Sequence, residues 1–168
     1  ETYAETHEDP KKMEDGKIMT TFKNLDNKLQ GLKGGDLVIL AARPSMGKTA
    51  MALNIAQMVA KKKNVAIFSL EMSKEQLTDR MVCAAMGIDS WKLQKGELSD
   101  EEFARIGDAL SELSQARMFI DDSASMNLLE IKSKCRRLKM ESGLDLIVID
   151  YLQLINGTNP NNRVQEIS

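Results

Sequence analysis

Four short apolar runs punctuate the chain, at residues 36–42, 64–70, 117–121 and 144–150, and the stretches between them carry apolar side chains at helical spacing. The runs are nearly continuous in Val, Ile, Leu and Phe rather than alternating with polar residues, as in strands buried on both faces. The intervening segments are long enough to hold a helix each, which parallel neighbours require of their connections. The predicted class is therefore α/β, a parallel sheet with helices on both faces.

Local signals place the helices. Residues 48–60 set Met51, Ile55, Met58 and Val59 at helical spacing. Residues 73–86 open with Ser73 and Gln76 in capping-box relation, and Ser99 with Glu102 repeats the device. The stripe of that next helix is Phe103, Ile106, Leu110 and Leu113. A last helix starts at 127–130, directs Leu128, Ile131, Cys135 and Leu138 inward, and stops at Gly143.

Composition narrows the class of protein. With 42% hydrophobic and 29% charged residues over 168 positions, the chain supports one core and is not disordered throughout. Its 23 basic and 25 acidic residues nearly cancel, which excludes a simple basic nucleic-acid coat and makes any nucleic-acid contact local. No apolar run approaches the roughly 20 residues of a membrane span. The polar start, Glu1 to Glu5, predicts no export signal. Cys83 and Cys135 stand far apart, with His7 as the one histidine, so neither a disulfide framework nor a zinc cluster is suggested. A reducing cytoplasm fits. Residues 1–20 are charged and contain Pro10, and they read as a linker or arm ahead of a domain over 21–168.

Between the first run and the first helix lies Ala42-Arg43-Pro44-Ser45-Met46-Gly47-Lys48-Thr49, the strand-to-helix context of a phosphate-binding loop. Without a Cβ at Gly47, backbone N–H groups can close round a phosphate at which the helix N-terminus also points. Lys48 supplies charge to the β- and γ-phosphates of ATP, and the Thr49 hydroxyl a ligand for Mg²⁺. Ser45, Met46, Gly47, Lys48, Thr49 and Ala50 form the expected nucleotide-binding set. The general pattern has Gly where Ala42 stands. Asp150 ends an apolar run as a Walker-B carboxylate does, an expected second hold on the metal, and Tyr151 follows where many ATPases place a Glu. Glu71, at the end of the second run, is instead expected to be the general base that polarises the attacking water.

Taken together, these segments resemble the motor domain of the replicative hexameric DNA helicases, the DnaB family of RecA-like ATPases. The resemblance rests on 21–26 with Gly31, Leu32, Gly34, Asp36 and Leu37, on 41–49, on Phe68-Ser69-Leu70-Glu71-Met72-Ser73, on 134–138, and on Ile149-Asp150-Tyr151-Leu152-Gln153-Leu154. It runs through 21–155, and Ala42 in place of Gly is how this family tends to write the loop. The resemblance implies ATP-driven translocation on single-stranded DNA by a homo-hexamer with ATP held between neighbours. It also implies unwinding of forked DNA alongside a primase and a helicase loader. Residues 1–20 would be the end of an interdomain linker. Gln153 would be a polar link between nucleotide state and a DNA loop, and joins Glu71, Lys48 and Asp150 as a catalytic expectation. A sensor, DNA loops and an arginine finger are expected beyond Ser168, so the motor is truncated at its carboxyl end and this chain alone should hydrolyse ATP poorly.

Other features have plainer readings. Lys132, Lys134, Arg136, Arg137 and Lys139 read as a solvated or subunit-contact face. Residues 157–162 read as the start of a mobile loop facing the ring channel, with Arg163 an ordinary loop residue. The cysteines read as core fillers and the eleven Met residues as gap fillers. Trp91 packs on a neighbour or lids its own core. Two competing functions share the loop and Glu71: a RecA-like ATPase of repair or signalling without unwinding, and a non-catalytic nucleotide-binding module.

Overall fold

Val65, Ala66, Ile67, Phe68 and Ser69 are all buried, which marks them as a central strand covered on both faces. The computed structural model, which describes residues 16–124 and 126–151, places them as β1 (Val65–Ser69). Around β1, in chain order, come α1 (Lys23–Leu29), α2 (Lys48–Ala60), α3 (Lys74–Met86), α4 (Ser90–Lys95), α5 (Asp100–Gln115), β2 (Met118–Asp121), α6 (Leu128–Glu141) and β3 (Leu146–Asp150). β1 pairs in parallel with β2 from Val65 opposite Met118, and with β3 from Val65 opposite Leu146 to Ser69 opposite Asp150. The strand order is β2-β1-β3.

Alternation along β1 divides the core. Val65 and Ile67 pack with Leu53, Ala56, Val59 and Ala60 of α2 and with Leu77 and Met81 of α3. Ala66 and Phe68 pack on the other side with Met126, Leu144 and Ile131 of α6. Helices thus cover both faces, as the sequence pattern predicts.

Helix ends follow their local chemistry. Ser73 with Gln76, Ser99 with Glu102 and Asn127 with Glu130 each form a reciprocal capping box. The box satisfies donors that a helix start cannot pair internally. Gly87 and Gly96 end α3 and α4 in the left-handed conformation.

The first apolar run departs from expectation. Residues 36–42 form no strand, and Leu37, Val38 and Ile39 are 84%, 56% and 70% exposed. Periodicity reports what a segment is able to bury, whereas a strand exists only where another edge accepts its hydrogen bonds. The ladders of β1, β2 and β3 do not include this run.

Some predicted inward positions also face outward. Phe103 and Leu110 of α5 are exposed because that helix lies outside α3 and touches the core through Leu113. Leu128 stands at the exposed start of α6, while Ile131, Cys135 and Leu138 do turn inward. Met58 is exposed, and α2 is buried through Leu53, Ala56 and Val59 instead.

Two short helices lie outside the periodic signal. In α4, six residues long, Trp91 is half exposed with the Lys95 ammonium 4.0 Å from its ring centre. Ahead of α1, Ile18 pairs with Leu32 in an antiparallel bridge and joins the core. The Thr20 N–H and hydroxyl both donate to Asp26 Oδ1, at 2.8 and 2.7 Å, fixing the entry to α1.

Asp121, at the end of β2, makes a pH-dependent contribution. Partial burial opposes its charge, but the Lys134 ammonium and the Ser123 hydroxyl and N–H hold its carboxyl below the ordinary value. A depressed carboxylate stabilises the fold above its unfolded pKa of about 3.9 and loses that contribution as pH falls through the folded value. Asp121→Asn should therefore reduce stability at neutral pH by under about 1 kcal/mol for so exposed a pair, seen as a slightly lower Tm, and by progressively less below about pH 4. Thermal melts of both proteins across pH 3–7 check this; a gap that widens on acidification would contradict it.

Candidate nucleotide site

Register decides where the acidic residues stand. Ser69 and Asp150 are paired at the carboxyl ends of β1 and β3, and the Leu70 N–H donates to the Asp150 carbonyl at 2.8 Å. Glu71 therefore follows β1 at the same sheet end at which Asp150 closes β3. The chain steps from β1 to β2 on one side and returns to β3 on the other, a reversal of strand order of the kind that opens a ligand crevice at the carboxyl ends of strands.

The loop before α2 meets this sheet end. Lys48 Nζ lies 2.7 Å from Asp150 Oδ1, and the Thr49 hydroxyl donates to Asp150 Oδ2 at 2.6 Å. The Lys48 ammonium also sits 4.6 Å from the centre of the Tyr151 ring. Residues about a hundred positions apart in the chain thus converge, with the Asp150 side chain only 12% exposed.

Loop geometry explains the residue types. Ser45 and Gly47 both take positive φ, 62° and 81°. A Cβ at Gly47 would meet no protein atom within 4 Å, so within the chain itself glycine is called for there by its positive φ. The Met46 N–H donates to the Arg43 carbonyl at 3.2 Å, closing a turn, while the Arg43 side chain is exposed. No side chain caps α2, in contrast to the boxes on α3, α5 and α6. Its first-turn N–H groups remain available to an anion.

The structure thus brings Lys48, Thr49 and Asp150 into direct contact and sets Ser45, Met46, Gly47 and Ala50 on the adjoining loop and first turn. Glu71 stands exposed on the neighbouring turn. Gln153, residues 157–162 and Arg163 lie outside the described residues. One contributor escaped sequence reasoning: the Tyr151 ring beside Lys48, whose adjacency to Asp150 was the available signal. Among the described residues, no three His, Cys, Asp or Glu side chains cluster as a metal cage. The chemistry of Thr49 and Asp150 suits Mg²⁺, which takes few protein ligands and completes its shell with phosphate oxygens and water.

The basic residues of α6 serve structure in part. Lys134 pairs with Asp121, Lys139 donates to the Leu144 carbonyl at 2.8 Å, and Arg137 approaches Glu141 at 3.7 Å. Cys83 is buried, Cys135 half buried, and desolvation raises both thiols.

Residues 17–168 match the DnaB-like helicase C terminal domain. The chain belongs to this family. It is 53% identical over 155 residues to the replicative DNA helicase DnaB of Geobacillus stearothermophilus, covering 90% of this chain and 34% of that protein. The replicative DNA helicase DnaC of Bacillus subtilis is 51% identical over the same share of each. This chain accordingly spans about a third of the length of those curated relatives. Among solved structures, a DnaB-like replicative helicase studied with its interactions with primase superposes with a TM-score of 0.85 at 32% identity, over 99% of this chain and 41% of that one. A second solved structure, of an ATPase domain, gives the same score and identity, over 99% of this chain and 60% of that one. The fold is RecA-like.

Proposed function

We propose that this chain is part of the motor of an ATP-dependent replicative DNA helicase, coupling ATP hydrolysis to translocation on single-stranded DNA and unwinding at a fork. The observation that carries the reading is the meeting of Lys48 and Thr49 with the two oxygens of Asp150 at one sheet end. Nothing in the packing of a bare α/β scaffold calls for a lysine, a hydroxyl and a carboxylate to converge beside an uncapped helix start.

In this reading the N–H groups from Ser45 to Ala50 cradle the phosphates, and Lys48 neutralises charge on the β- and γ-oxygens. Thr49 and Asp150 would hold Mg²⁺, which supplies electrostatic stabilisation of the transferring phosphoryl group. Glu71 accepts a proton from the attacking water, or orients it, from the adjacent turn. Gln153 relays nucleotide state toward DNA. Glu71 and the loop are exposed, which suits a site completed by the next copy in a ring of six. An arginine supplied in trans to such a site is worth about 10³–10⁵ in rate. Primase and a loader are the further partners proposed for the whole cytoplasmic protein. The motor domain is proposed to begin a little before residue 21, since Ile18 and Thr20 are packed with it, and the residues ahead of Ile18 are proposed as linker.

Strand displacement decides between this reading and a RecA-like ATPase that acts without unwinding. The full-length protein is expected to separate forked DNA only with hydrolysable ATP and Mg²⁺. DNA-stimulated hydrolysis with no displacement on forks of either polarity would refute the helicase reading and retain the ATPase.

A further inference from the structure

We infer that Ser69 is a positioning residue for Glu71, its hydroxyl closing the turn that carries the Glu71 carboxylate. The inference deepens the proposed function and rests on Glu71 acting in ATP hydrolysis.

Ser69 is anomalous where it stands. It is 2% exposed at the end of the fully buried central strand, directly opposite Asp150, and the residues before it are apolar. A buried hydroxyl is costly unless it is paired, and this one is paired twice with a single residue. Its Oγ donates to the Met72 carbonyl at 2.7 Å and accepts from the Met72 N–H at 3.2 Å. The chain leaves β1 after Ser69 and reaches the Ser73 cap of α3 through Leu70, Glu71 and Met72, with Glu71 exposed between buried Leu70 and half-buried Met72.

The flanks of the turn are fixed as well. On one side the Leu70 N–H is held by the Asp150 carbonyl at 2.8 Å. On the other, Ser73 and Gln76 form their capping box, and the Lys74 N–H donates to Asp122 Oδ2 at 2.8 Å. Ser69 spans the part these contacts leave over, and it anchors the apex to the same β1–β3 rung that holds Asp150. A carboxylate on a three-residue excursion keeps its place relative to Asp150 only if the excursion is closed. A displacement of about 1 Å in a reacting group is enough to cost about 10²-fold in rate.

The test uses the full-length protein, steady-state MgATP hydrolysis with saturating single-stranded DNA, and binding of a fluorescent ATP analogue. Ser69→Ala should lower kcat by about ten- to a hundredfold while KM and analogue affinity stay within about twofold. Ser69→Thr, which keeps the hydroxyl on a side chain suited to a strand end, should restore most of the rate. The decisive measurement is the pair of cycles with Glu71→Gln, because Ser69→Ala should cost nothing further once the carboxylate is gone. An equal loss in that background, or kcat and KM failing together, marks a general structural role and overturns the inference.

Failure of the positioning role and failure of Glu71 itself give different results. Wild-type turnover by Glu71→Gln removes the role of Glu71, and this inference with it. Collapse of Glu71→Gln beside an unaffected Ser69→Ala removes the inference alone. If Ser69→Ala does not fold, Ser69→Cys, of nearly the same shape but a weaker donor and acceptor, takes its place. It should lower kcat several-fold at unchanged KM, and an unchanged kcat there overturns the inference equally.

Discussion

Glu71→Gln in the full-length protein should bind ATP as tightly as the wild type and hydrolyse it about 10²- to 10⁴-fold more slowly, the usual worth of a positioned general base. The separation of binding from turnover follows from the architecture. In the proposed site phosphate contacts would come from the loop before α2 and from Lys48, whereas Glu71 stands on a different turn at the end of β1. Glutamine keeps the shape of the side chain and its capacity to accept a hydrogen bond but cannot take a proton. Single-turnover hydrolysis and analogue binding, measured on one preparation, check both halves. Undiminished turnover would remove Glu71 as the general base, whereas a wild type that binds ATP with no turnover, unchanged by the substitution, would favour the non-catalytic nucleotide-binding module.

Lys48→Ala acts on the other pole and should do more than weaken binding. Loss of one preorganised charge facing the transferring phosphoryl group costs about 10²–10³ in kcat. The substitution also removes the partner of Asp150 Oδ1, leaving a carboxylate that is 12% exposed with the Thr49 hydroxyl at its other oxygen. A lost hydrogen bond to a charged group is worth about 1.5–3 kcal/mol, so Tm should fall along with activity. Arginine is not expected to substitute, since its planar fork differs from a compact ammonium seated between a carboxylate and the Tyr151 ring. ATPase rates with thermal melts, with and without MgATP, test the pair of effects. Retained hydrolysis by Lys48→Ala would contradict the phosphate-loop assignment.

What the chain declares about itself depends on whether a signal is local. Capping boxes at Ser73 and Ser99 are complete within four residues, and the helix starts they predict are observed. The central run at 64–70 was legible because a strand covered on both faces must be apolar throughout. The run at 36–42 carries the same composition, yet its pairing depends on an edge that no local pattern specifies. The exposed Phe103 and Leu110 have a related cause: an apolar stripe fixes a helix face, but not whether a second layer covers all of it.

The site divides along the same line. Gly47, Lys48 and Thr49 announce themselves by spacing, and Asp150 by ending an apolar run. Their joint geometry had to await the register of β1 on β3, a contact between distant parts of the chain. Ser69 gave no sign of its bond to Met72, since a serine after four apolar residues is an ordinary way to end a strand.

Asp150 divides its atoms among three clients: one carboxyl oxygen for Lys48, the other for Thr49, and its main-chain oxygen for the peptide that leads to Glu71. Acid and cation ends of the pocket therefore share a hinge pin one residue wide. A shift of Asp150 would disturb all three contacts at once, so in the proposed site nucleotide grip and the placement of Glu71 would change together.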